Sequence, residues 1–148
     1  MPRASVKRVI KCDKNQLIDL VLDIEKYPTF IPYCIDAKVY EKNDTDDFTN
    51  IIADLTIGKG LFKDTYKSEV KFNKKNNSIY VKNIDGPLKH LDNKWTFKDH
   101  NKGTEIYFDV DFEIKNKFLN ILMTTSFQYG LDKIADAFQD RANQLLKS

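Results

Sequence analysis

The sequence predicts an α+β fold in which a seven-stranded antiparallel curved sheet wraps around one long C-terminal helix. Three observations carry this reading. Six alternating segments between residues 36 and 114 are separated by short turn-forming clusters, which only antiparallel neighbours can bridge. A further alternating segment, residues 4–12, precedes them, with one short helical pattern between. From about residue 118 the apolar period changes from two to that of a helix. A lone amphipathic helix must bury its stripe, and the concave face of the sheet is the surface that can cover it.

In order, residues 4–12 put Ala4, Val6, Ile10 and Cys12 on one face, interrupted by Arg8. Asp13 and Gln16 then have the spacing of a capping box, and Leu17, Leu20, Val21 and Ile24 follow at helical spacing. Tyr27-Pro28 ends that helix, and Pro32 keeps the chain irregular as far as Cys34. Strands follow at about 36–42, 48–57, 62–74, 78–84, 91–100 and 104–114, separated by Asn43-Asp44, Gly58-Lys59-Gly60, Asn76-Asn77 and Asp85-Gly86-Pro87. With Asn101-Lys102 as the last turn, Trp95 faces Phe108 and Phe97 faces Ile106, while Lys98 meets Glu105 and Lys94 meets Asp109 on the other side. A bulge at Gly103 would change the turn. The final helix begins near Asn116 or after Thr124-Thr125-Ser126, and its stripe runs Met123, Phe127, Leu131, Ile134, Phe138, Arg141 or Ala142, and Leu145.

Length and composition restrict the rest. No linker or repeat interrupts the 148 residues, so 1–148 is read as a single domain. The net charge of +2, from 24 basic and 22 acidic side chains, is far from the excess of a dedicated nucleic-acid binder, and no DNA partner is expected. Two cysteines, Cys12 and Cys34, make no disulfide framework and read as reduced thiols. No apolar run approaches the roughly 20 residues that span a bilayer. Met1-Pro2-Arg3 leads at once into patterned sequence, which leaves no room for a transit peptide. We expect a cytoplasmic protein, peripheral at the inner membrane where it meets one.

Catalytic signals are weak. The two histidines, His90 and His100, accompany no nucleophile elbow and no glycine-rich phosphate loop. Cys12, Cys34, His90 and His100 lack the close paired spacing of a zinc site. Glu105, Asp109, Asp111 and Glu113 share one face of a strand, which reads as a solvated outer face rather than an acid/base site. Cys34 has no base beside it in sequence and reads as a buried thiol. Hence no enzyme, no cofactor and no metal is expected.

Several motifs occur in one order: Tyr27-Pro28-Thr29-Phe30-Ile31-Pro32-Tyr33-Cys34, then Ser68-Glu69-Val70, then Asp85-Gly86-Pro87-Leu88-Lys89-His90-Leu91 leading through Asn93 to Trp95 and Phe97. Phe112-Glu113 and Ala137-Phe138-Gln139-Asp140-Arg141-Ala142 complete the set. Together they resemble the coenzyme Q-binding START-like family of the polyketide cyclase/START superfamily, which includes bacterial ribosome-association toxin homologues. The resemblance spans about Ser5 to Leu145; Leu88 stands where the family commonly has Phe, and Ile114 also departs from an aromatic.

The resemblance implies the helix-grip fold, with a hydrophobic tunnel between sheet and C-terminal helix, and ubiquinone as a bound ligand carried for respiration or quinone biosynthesis. An aromatic set alone is more often a filled core than a ligand site. With the resemblance, Phe30, Tyr33, Tyr66, Ser68, Trp95, Phe97, Phe112, Phe127, Leu131 and Phe138 become the expected tunnel lining, Tyr66 and Ser68 offering donors to a quinone head. Leu61, Phe62, Phe118, Leu119, Ile121 and Leu122 are the expected mouth or membrane contact, with Lys59, Lys63, Lys115 and Lys117 near anionic headgroups. The alternative is a toxin-like regulator that binds the large ribosomal subunit and blocks subunit association. It needs a basic face, for which Arg3, Lys7, Arg8, Lys11 and the stretch 71–75 are the candidates.

Overall fold

The computed structural model describes residues 3–59, 62–86, 88–115 and 117–146; the side chains of residues 59, 62, 88, 114, 117–127 and 146 lie outside the description. The strands are β1 (Arg3–Ile10), β2 (Cys34–Asp44), β3 (Phe48–Lys59), β4 (Phe62–Asn73), β5 (Ser78–Asp85), β6 (Leu88–His100) and β7 (Gly103–Ile114). The helices are α1 (Lys14–Leu22), followed by a 3-10 segment Ile24–Thr29, and α2 (Lys117–Leu146). All seven strands join one antiparallel sheet in the order β1-β7-β6-β5-β4-β3-β2. Successive hairpins make the meander, and β1 closes on β7 because α1 carries the chain across the sheet to start β2 at the far edge.

Asp13 caps α1 by accepting from the backbone N–H groups of Asn15 and Gln16, at 3.1 and 3.4 Å. Leu17, Ile18, Leu20 and Val21 bury one face of that helix. The helix does not run to Tyr27-Pro28 as expected: α1 ends at Leu22, and a 3-10 segment with Pro28 inside it follows. The fixed φ of Pro28 suits that tighter helix, and the Tyr27 hydroxyl holds the segment by donating to the Val21 carbonyl.

The β6–β7 register is the expected one, with Trp95 opposite Phe108 and Phe97 opposite Ile106, and it continues to His100 opposite Gly103. The irregularity lies at the other end, between Leu88 and His90, not at Gly103. Gly103 has φ +140°, and a Cβ there would stand 2.1 Å from the Ile10 carbonyl oxygen, so only glycine lets the end of β1 cross this hairpin.

Alternation makes the concave face apolar, with α2 lying against it. Leu131, Ala135, Phe138 and Ala142 form the buried stripe of α2. Leu145, expected in that stripe, is 50% exposed, because the last turn of the helix borders an open depression beside α1.

Candidate functional site

The concave face can be followed row by row across the strands. One row joins Phe72, Ile79, Trp95, Phe108 and Val6; the next joins Ile51, Val70, Val81, Asn93, Val110 and Ala4. Beyond it Ala53, Ser68 and Asn83 stand side by side. On the other side of the Trp95 row, Phe97 and Ile106 lead to Arg8.

The Trp95 row is packed solid. Trp95 stacks on Phe108 with centroids 4.0 Å apart, and Phe138 of α2 meets Trp95, Phe30 and Tyr27 edge-on at 5.2, 5.4 and 5.6 Å. Of the expected lining residues, Trp95, Phe97, Phe112, Leu131 and Phe138 are buried, and Phe30 and Tyr66 are half-buried. Tyr33 turns outward, half exposed at a φ of 66°, while its carbonyl accepts from the Gly58 N–H at 2.9 Å. The side chain of Phe127 lies outside the described residues, as do Leu61 and the side chains of Phe62, Phe118, Leu119, Ile121 and Leu122.

Ser68 is 2% exposed, and among the described residues neither its Oγ nor the Oδ1 of Asn93 has a hydrogen-bond partner. Asn83 lies directly opposite Ser68. Sequence reasoning missed both asparagines as site residues, although parity gives them away. Asn83 continues the inward series Ile79, Val81, and Asn93 precedes Trp95 and Phe97 at intervals of two.

Charge on this face lies at its two edges: Lys42 and Asp44 end two of these rows on β2, and Arg8 stands on β1. Its guanidinium is drawn to the edge, donating to Asp136 at 2.5 Å and to Gln139 at 3.2 Å, which fastens α2 to β1. Burial pushes the Cys34 thiol up to about 11, assisted by Asp36. Burial likewise raises the phenols of Tyr27 and Tyr66, with Cys34 adding to both. These groups are held protonated at neutral pH, the opposite of what a nucleophile or base requires.

On the outer face, the acidic row of β7 is less solvated than expected. The side chains of Glu105, Asp109, Asp111 and Glu113 are 22–28% exposed because each lies beside a basic partner: Lys7, Arg3, His90 and Lys89 at 3.1–3.6 Å. The partners of Asp109 and Glu105 come from β1 rather than from Lys94 and Lys98 of β6. Among the described residues no three His, Cys, Asp or Glu side chains gather as metal ligands. His100 instead accepts from the Lys102 N–H through Nδ1 at 3.0 Å.

Two depressions open near α1. The larger, about 530 Å³, has a floor of Leu22, Ile24, Val39, Ile51 and Phe72 under a charged rim that includes Asp19, Glu25, Lys42 and Lys74. The smaller, about 280 Å³, lies between α1 and the end of α2, lined by Cys12, Gln16, Leu20, Ala142 and Leu145. Neither is lined by the residues expected to form the tunnel. No helix among the described residues is long and apolar enough to cross a membrane.

The polyketide cyclase / dehydrase and lipid transport family matches residues 12–139. The chain is 31% identical over 143 residues to the ribosome association toxin RatA of Rickettsia prowazekii, covering 95% of each chain. It is 29% identical over 142 residues to a mitochondrial coenzyme Q-binding protein of Dictyostelium discoideum, covering 94% of this chain and 68% of that one. An 18 kDa protein of Caulobacter crescentus, solved in solution, superposes with a TM-score of 0.82 at 26% identity over the whole of both chains. The Zhui aromatase/cyclase of a Streptomyces species shares the fold at a TM-score of 0.82 but only 10% identity.

Proposed function

Because this chain belongs to the polyketide cyclase / dehydrase and lipid transport family, we propose that it binds a prenylated quinone, ubiquinone, between the concave sheet face and α2, and carries it without chemical change. The observation that carries this reading is an apolar centre of the concave face in which the Ser68 hydroxyl and the Oδ1 of Asn93 are buried without partners among the described residues. A coenzyme Q-binding relative spanning 94% of the chain supports the ligand class. Such binding needs only apolar area removed from water, about 25 cal/mol per Å² before ordering costs. The Cys34 thiol and the Tyr27 and Tyr66 phenols are stabilised in their protonated forms, in keeping with a binder rather than a catalyst.

The sole tryptophan, Trp95, lies on this face at 4% exposure and reports occupancy directly. Titration with a short-tailed ubiquinone should quench its fluorescence saturably, and mass spectrometry of an organic extract should recover the natural ligand. A purified, folded protein that neither quenches nor yields a lipid would exclude the carrier role. Delivery would require a mouth near a bilayer. Replacing Leu61 and Phe62 with Ser should weaken liposome binding and quinone uptake; unchanged uptake would remove that loop from the mechanism.

The second reading, association with the large ribosomal subunit, draws support from the toxin relative. The charge pattern supports it less. Arg3, Lys7, Arg8, Lys74 and Lys75 each have a carboxylate within 4 Å, at Asp109, Glu105, Asp136, Asp44 and Asp47 respectively. Lys71 lies over the Phe48 ring. Interleaved ion pairs weaken the attraction to a polyanion that a contiguous basic face would give. Co-sedimentation with ribosomal subunits at graded salt separates the two readings.

A further inference from the structure

We infer that the polar row on the concave face selects a ligand head that donates hydrogen bonds, a hydroquinone or phenol, over one that only accepts them, such as a quinone. This rests on the carrier reading above and sharpens it to a redox form of the ligand.

The argument begins with the cost of unpaired polar groups. A buried donor or acceptor left unsatisfied destabilises a fold far more than an apolar atom of the same shape, and such groups are rare without a role. Here the Ser68 hydroxyl, on a residue 2% exposed, and the Asn93 Oδ1 both lack partners among the described residues. Both occupy inward positions of neighbouring rows, flanked by Val70, Val81 and Val110. Valine at Asn93 or alanine at Ser68 would continue the apolar surface at no cost in shape, so the polarity serves something other than packing.

The chemistry of the two groups limits what satisfies them. A serine hydroxyl donates and accepts. A carboxamide always presents one side that only accepts, whichever way it is turned. A quinone head carries carbonyl and ether oxygens, which are acceptors; it can take a proton from Ser68 or from the asparagine amide but leaves the amide oxygen unpaired. A hydroxyl on the ring donates to that oxygen, while another oxygen of the head accepts from Ser68, which stands two strands away on β4. Only the hydroxylated head satisfies both groups together. From β4 to β7 no charged side chain stands in either row, Lys42 lying at the β2 end of one, so the preference is set by neutral hydrogen bonds, and a carboxylate or ammonium head is disfavoured by desolvation.

Anaerobic titration calorimetry of the full chain with a short-tailed ubiquinone and with its reduced quinol tests this. The quinol should bind about five- to tenfold tighter, the worth of one buried neutral hydrogen bond. A prenylphenol of equal tail length should side with the quinol. Asn93→Leu should bring the quinol-to-quinone ratio near one. Ser68→Ala should raise the melting temperature by a few degrees and yet weaken the quinol. Equal affinity of the two redox forms for the native chain, or a ratio that survives both substitutions, overturns the inference while the carrier reading stands. Failure of every form to bind overturns both.

Discussion

Phe138 meets three aromatic rings at once and is 2% exposed, so truncating it removes contacts that nothing nearby can replace. Phe138→Ala should cost about 3–5 kcal/mol, read by urea unfolding. A cost near 1 kcal/mol would mean that the ring borders open space rather than filled core. Cys34 gives a pH prediction of definite sign. Its thiol, ordinarily near 9.0, is pushed up to about 11 in the folded chain. Between those values the folded state keeps a proton that the unfolded state releases. The contribution to stability is therefore full below pH 9 and is lost as pH rises through 11. Cys12, raised by burial in the same direction, adds to the slope. Melting temperature should fall across this alkaline window, and Cys34→Ala should flatten the fall. Alkylation of Cys34 in the folded chain should be slow at neutral pH.

At the scale of elements, α2 is fastened to the sheet edge by the Arg8 fork, which reaches Asp136, Gln139 and the Asp132 carbonyl. Arg8 breaks the apolar alternation of β1, and in the sequence it is only an interruption. The packing makes it a clamp. Its side chain is 25% exposed, whereas that of Asp136 is 58% exposed. Asp136→Asn should therefore cost under about 1 kcal/mol, as an ion pair open to water. Arg8→Ala should cost about 1–2 kcal/mol, since it also forfeits the Gln139 and carbonyl contacts. Chemical unfolding of both variants checks the order; equal costs would mean that the ion pair alone holds the helix. The β6–β7 hairpin shows the reverse balance. Its register was legible because one alignment puts aromatic opposite aromatic and lysine opposite carboxylate. Which cation each carboxylate then chose was not, because β1 arrives at the same edge from a hundred residues away and its Arg3 and Lys7 outcompete Lys94 and Lys98.

For the whole molecule, a ligand that binds only the folded chain must raise its stability by mass action. At a hundredfold excess over its dissociation constant, a short-tailed quinol should stabilise the protein by about 2.7 kcal/mol, on the order of 5–10 °C in melting temperature. An unchanged melt at that concentration would speak against the site. Local patterning along the chain set the strand and helix order, the inward parity of β1, β6 and β7, the cap at Asp13 and most of the α2 stripe. These follow from local periodicity and turn chemistry, which act between residues close in the chain. Long-range packing turns Tyr33 outward and holds Ile24–Thr29 as a 3-10 segment, so that Tyr27 and Phe30 meet Phe138. It alone brought Ser68, Asn83 and Asn93 onto adjacent strands of one buried face. Those outcomes depend on which distant strands become neighbours and on what packs above them, and periodicity along a single strand carries no information about either.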